Sequence, residues 1–167
     1  TRAVLVVYDG RLIAARYAPG FTPALPLLGW SMSKSVTNAL VGILVKKGGL
    51  TLDQPAPVRE WQAEGDPRRA ITLDQLMQMT SGLEFDEVYT PFGDTAAMLC
   101  ESGDFAAYAA AKPLAAAPGS RWSYSSGTAN IISRIVRQAA ETETPNSYHF
   151  LRLELFDEIG MTSAVME

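Results

Sequence analysis

The sequence predicts an α+β fold: an N-terminal β-hairpin followed by a mostly helical body. Three observations carry this. The stretch "AVLVVYDGRLIAARYA" holds two apolar runs joined by Asp9-Gly10, a pair that readily takes up a tight hairpin turn. An apolar run of helix length extends from Ser31 to Lys47 and stops at Gly48-Gly49. Further on, helix-starting residues recur just ahead of apolar segments, as in "ITLDQLMQMTSGL" and "SSGTANIISRIVRQAA".

The elements follow in order. Gly20 to Gly29, "GFTPALPLLG", is rich in breakers and reads as a loop. In the Ser31–Lys47 helix, Val36, Ala39, Leu40, Val41, Ile43, Leu44 and Val45 cover nearly the whole circumference, which predicts burial all round. "LTLDQPAPVREWQAEGDPRRA" is a connector broken by Pro55, Pro57 and Pro67. Thr72 and Gln75 form a capping-box pattern, with Gly82 just past the expected end of that helix. Helices are expected over Asp94–Leu99 and Asp104–Ala111, a turn at Pro118-Gly119, a helix from near Ser126, and a last one from about Pro145 to Gly160. The division expected is a hairpin portion over residues 1–28 and a helical subdomain over 29–167.

A chain of 167 residues can bury a core of its own. Its 47% hydrophobic and 19% charged content is that of a globular protein. A net charge of -4 and the lack of a basic stripe argue against nucleic acid as a partner. No apolar run is long enough to span a bilayer. Cys100 is the only cysteine, which excludes an internal disulfide. The first residue is Thr1, so the natural N-terminus is expected to be missing, and any signal peptide with it.

Chemistry concentrates in two places. "GWSMSKS" sets Lys34 three residues after Ser31, and residues three apart on a helix lie about 5–6 Å from one another at Cβ. A desolvated lysine gives up its proton more readily and can then take one from a serine, while the helix N-terminus favours an oxyanion. Taken alone, Ser-x-x-Lys reads better as a capped helix with a snorkelling lysine. "RWSYSSGTAN" adds Tyr124 and Ser126 after a Pro-Gly turn. A phenol near a lysine is a proton shuttle, because the cation favours its phenolate; an aromatic packing role for Tyr124 stands beside that reading.

In "WSMSKSVTNALVG", "ITLDQLMQMTSGLEFDEVY", "PGSRWSYSSGTANIISRIVR" and "LFDEIGM", in that order, the chain resembles the serine β-lactamase and penicillin-binding superfamily. Within it, the likeness is to class C-type β-lactamase-related hydrolases, in particular the 6-aminohexanoate-dimer hydrolase group. The resemblance implies a β-lactamase/transpeptidase-like fold, an acyl-enzyme mechanism on a small ester or amide, and neither cofactor nor metal. It implies Ser31 as the acylated nucleophile, Lys34 as its proton partner and Tyr124 as general base and acid. It also implies Ser126 as a hydrogen-bonding residue at the substrate and Tyr89 on a loop over the pocket. Ser126 stands where class C β-lactamases usually have asparagine, which favours esters or linear amides over β-lactams. The resemblance implies a bacterial protein, with localisation open between cytoplasm and periplasm.

Other readings weigh less. "GWSMS" approaches the Gly-x-Ser-x-Gly elbow, but "FTPALPLLG" is too proline-broken to be the strand that elbow needs. Cys100 and His149 both fall within expected helices, as structural residues. Glu84, Asp86 and Glu87 have no nearby histidine and read as a solvated turn, and "GDPRR" as surface charge. The family's third motif, Lys-Thr-Gly or a variant, is not in the sequence. The expectation is therefore a piece of a longer protein lacking the C-terminal strands of the sheet and inactive alone. Self-association, or a complementing chain, is expected through the N-terminal hairpin. A non-catalytic binding or assembly module is the alternative.

Overall fold

A computed structural model describes residues 1–166. Strands β1 (Ala3–Tyr8) and β2 (Arg11–Tyr17) form an antiparallel hairpin, pairing Ala3 with Tyr17 and Tyr8 with Arg11. Asp9 (φ 47°) and Gly10 (φ 70°) are both left-handed, as the tightest hairpin turn demands. The register slips between Val6 and Val7. Successive strand residues point to opposite faces, and here both faces are open: Val4 to Tyr8 are all exposed.

The body is built on α1 (Ser33–Lys46) and α5 (Ser126–Ala140). Around them lie α2 (Leu73–Met77), α3 (Asp94–Cys100), α4 (Phe105–Ala110) and α6 (Ser147–Leu151). One core joins them, with Leu40, Val41 and Leu44 from α1 meeting Ile131, Ile132 and Ile135 from α5, and with Trp61, Leu73, Leu76 and Phe150. Trp61 is fully buried, and its indole N–H donates to the Ala110 carbonyl (2.9 Å), so its one polar atom is satisfied. Arg134, buried on α5, donates twice to Glu60 (2.8 and 2.6 Å) and ties the proline-broken connector to the core.

Four expectations need correction. α1 is not buried all round: Thr37, Leu40, Val41 and Leu44 are buried, Val36, Ala39, Ile43 and Val45 are half-buried, and Asn38 and Gly42 face solvent. The buried set has the i, i+3, i+4, i+7 spacing of a one-sided helix. The helix also begins at Ser33, after a separate 3-10 turn over Trp30–Met32. The Thr72 capping box forms, Thr72 Oγ1 accepting from Gln75 N–H and Gln75 Oε1 from Thr72 N–H (both 3.1 Å). Its helix nonetheless ends at Met77, and Met79 (φ 58°) rather than Gly82 takes the first left-handed position. The last segment is no single helix, since α6 passes into a π-helical turn over Arg152–Phe156.

Candidate active site

Ser31 lies in the 3-10 turn, exposed, directly after Trp30, whose left-handed φ of 46° is costly for a residue with a bulky side chain. Ser33 Oγ donates to the Trp30 carbonyl (2.6 Å) and Met32 N–H to Gly29 (3.0 Å), and these bonds hold the turn. Lys34, half-buried in the first turn of α1, then reaches back and donates to Ser31 Oγ (3.3 Å).

The second group arrives with α5. Ser123 N–H donates to the Met79 carbonyl (2.8 Å), which anchors the approach to the helix on the end of α2. Ser125 caps α5, its side chain accepting from Thr128 N–H (3.0 Å). Tyr124, just outside the cap, donates its hydroxyl to Ser31 Oγ at 2.8 Å, across 93 residues of sequence. Ser126, the first helical residue, accepts from Lys34 Nζ at 3.3 Å. The Lys34 ammonium also lies 4.9 Å from the centre of the Tyr124 ring. Lys34 and the Ser31 hydrogen bond bring the Tyr124 hydroxyl below the usual phenol range, against burial and the charge of Glu87.

The structure thus brings Ser31, Lys34, Tyr124 and Ser126 together. Tyr89 sits apart, on the exposed α2–α3 loop, linked to this group only through its hydroxyl's 3.4 Å bond to Glu87. Glu87 itself went unrecognised in the sequence, where "EFDEVY" reads as a solvated turn. Half-buried, its carboxylate accepts Ser126 N–H (2.6 Å) and Ser126 Oγ–H (2.5 Å). A signal for it did exist: the N–H groups at a helix start want acceptors, and a carboxylate suits them best.

The loop bearing Glu87 is fixed from below. Phe85 packs against Gly127, where a Cβ would meet the ring at 2.5 Å, so only glycine allows this approach. Asp94 accepts from Asp86 N–H (2.9 Å) and from the Tyr108 hydroxyl (2.8 Å), and pairs with Lys112. Burial works against its charge, yet these donors hold the Asp94 carboxyl below the usual range. Among the described residues no cluster of His, Cys, Asp or Glu is arranged to hold a metal, and no helix is long and apolar enough to cross a membrane.

The fold has solved counterparts. A putative 6-aminohexanoate-dimer hydrolase from Bacillus anthracis superposes with a TM-score of 0.68 at 24% identity, over 82% of this chain and 39% of that one. A putative beta-lactamase from Bacteroides dorei DSM 17855 superposes with a TM-score of 0.71 at 23% identity, over 96% of this chain and 46% of the other. This chain therefore spans less than half the length of either. Among curated proteins none matches it. The β-lactamase family model matches residues 2–166, and the chain accordingly belongs to the β-lactamase family.

Proposed function

We propose that the complete protein is a serine hydrolase that works through an acyl-enzyme on a small ester or linear amide. The observation that carries this reading is the convergence of the Tyr124 hydroxyl (2.8 Å) and the Lys34 ammonium (3.3 Å) on Ser31 Oγ. In the resting state Tyr124 is the donor. Once the phenol proton has passed to water and Lys34 holds the resulting phenolate, the bond reverses: Tyr124 Oη takes the Ser31 proton as Oγ attacks the carbonyl. The phenol then returns that proton to the leaving oxygen or nitrogen, and water releases the acyl group by the same exchange in reverse. Lys34 offsets negative charge on Tyr124 and on Ser31 throughout.

With Ser126 in place of the asparagine usual in class C β-lactamases, an ester or linear amide is favoured over a β-lactam. Tyr89, exposed at the rim, is proposed to close over the bound substrate. Ser31 is open to water here, and acyl transfer gains from a water-excluded site, so residues 1–167 alone are proposed to be inactive.

Turnover of an activated ester by the complete protein tests the reading. Ser31→Ala should abolish turnover, and Tyr124→Phe should remove most of it by deleting the hydroxyl that moves the proton. Lys34→Arg is expected to be nearly as damaging as Lys34→Ala, since the longer, planar guanidinium does not fit between Ser31 and Ser126 as the ammonium does at 3.3 Å from each. Undiminished activity in Ser31→Ala would refute the proposal.

A further inference from the structure

We propose that Glu87 is a positioning residue for this reaction, acting through Ser126 on Lys34. The proposal rests on the acyl-transfer reading above. Its basis is an accounting of donors. Ser126 has two, its backbone N–H and its hydroxyl proton, and Glu87 accepts both, at 2.6 and 2.5 Å. With its only hydroxyl proton committed, Ser126 Oγ faces Lys34 purely as an acceptor. Lys34 therefore donates to Ser126 on one side and to Ser31 on the other, each at 3.3 Å. The carboxylate thus holds Ser126 Oγ in place as an acceptor, and with Ser31 Oγ it fixes where the Lys34 ammonium sits.

The plainer role for a carboxylate at this place is to cap α5. Two facts set Glu87 apart from a cap. α5 already has one in Ser125, whose side chain accepts from Thr128 N–H at 3.0 Å. One Glu87 oxygen, moreover, is spent on the Ser126 hydroxyl, which is no part of the helix terminus. The loop is built to deliver Glu87 there: Phe85 is seated on Gly127, and Asp86 N–H is held by Asp94, itself anchored by Tyr108 and Lys112. The charged and titratable groups facing Glu87 are Tyr89 on its own loop, Lys34 on α1 across Ser126, and Tyr124 before α5.

The test is a double-mutant cycle in the complete protein with Glu87→Gln and Ser126→Ala, read as kcat and KM on an activated ester, with thermal unfolding of each variant. Glutamine keeps the size but accepts only one of the two donors. Glu87→Gln should lower kcat by roughly ten- to a hundredfold with KM little changed, the loss expected for a hydrogen bond to a charged group. In the Ser126→Ala background the same substitution should have almost no further effect on kcat, because the hydroxyl that transmits it is gone. A capping role predicts the opposite: the Ser126 N–H survives in Ser126→Ala, so the two losses would multiply. Multiplying losses, or a folded Glu87→Gln with wild-type kcat, would overturn the proposal. If Glu87→Gln does not fold, Ser126→Ala alone must show the fall in kcat, and wild-type kcat there overturns it equally. Labelling of wild-type protein by a serine-directed phosphonate is run alongside. If Ser31 is not labelled, the acyl-transfer reading fails, and this inference with it; labelling at Ser31 with multiplying losses overturns the role of Glu87 alone.

Discussion

The hairpin and the helical body are equally plain in the sequence, yet they end in opposite states. In the body, apolar residues close on one another: Leu44, Trp61, Ile71 and Leu76 are all fully buried. In the hairpin, Val7 is 64% and Tyr8 73% exposed, although "AVLVVY" is as apolar as any core segment. Backbone geometry explains why both form. Left-handed Asp9 and Gly10 close the hairpin without any tertiary contact, just as the Thr72–Gln75 box starts α2. Burial is a separate matter, because it depends on what each face meets. Local signals therefore specify an element, while its contribution to stability comes only from packing.

The sharpest way to break this comparison is a pair of truncations. Trp61→Ala removes a fully buried ring and one of the two side-chain donors to the Ala110 carbonyl, the other being Arg68, and should cost about 3–5 kcal/mol in denaturant unfolding. Val7→Ala on the hairpin should stay within about 0.5 kcal/mol. Equal losses at the two sites would show that the hairpin is part of the core after all.

A smaller effect comes from Glu60. Burial opposes its charge, but the hydrogen bonds from Arg134 win and hold its carboxyl below the usual range. Glu60→Gln leaves the buried Arg134 guanidinium with only the more distant, exposed Asp104 (4.0 Å) as counter-charge, an expected cost of about 1.5–3 kcal/mol by thermal unfolding. Acid should reveal the same asymmetry. The Glu60, Asp66 and Asp94 carboxyls all titrate lower in the folded chain than their ordinary values of 4.5, 3.8 and 3.8. Their contribution is complete above those values and is lost as pH falls through the depressed folded ones. Tm should therefore be level above about pH 5 and drop below about pH 4, less steeply in Glu60→Gln. A Tm that rose on acidification would contradict these shifts.

The smallest effect on folding belongs to the hairpin, though it changes solution behaviour. Its open apolar faces are expected to draw a second copy of the isolated chain. Val7→Lys should then shift the mass measured by light scattering toward the monomer with Tm unchanged. Unaltered association would place the contact elsewhere.

How much of the site was legible follows the same division. Ser31 and Lys34 are three residues apart, and Tyr124 and Ser126 two, so each pair is visible as a local pattern. The meeting of the pairs spans 93 residues, and only the resemblance to a family suggested it beforehand. Glu87 was invisible because its partner lies 39 residues away and a carboxylate in a polar turn looks solvated. The one-sided burial of α1 escaped for a related reason: the sequence shows which residues are apolar, not that only the Leu40–Leu44 face meets α5. The helix end at Met77, with Met79 left-handed just after it, escaped too, since Gly82 is the better left-handed residue but is used for a different contact. A Cβ there would meet the Ala116 carbonyl oxygen at 2.2 Å.

The most direct measurement of the central claim is the site and rate of covalent labelling of the complete protein by a serine-directed phosphonate, mapped by mass spectrometry. The account predicts a single adduct on Ser31, formed much more slowly in Tyr124→Phe, because the hydroxyl at 2.8 Å is the group that takes the proton. An adduct on Ser33 or Ser126 instead, or labelling of Ser31 at an unchanged rate without the Tyr124 hydroxyl, would contradict it.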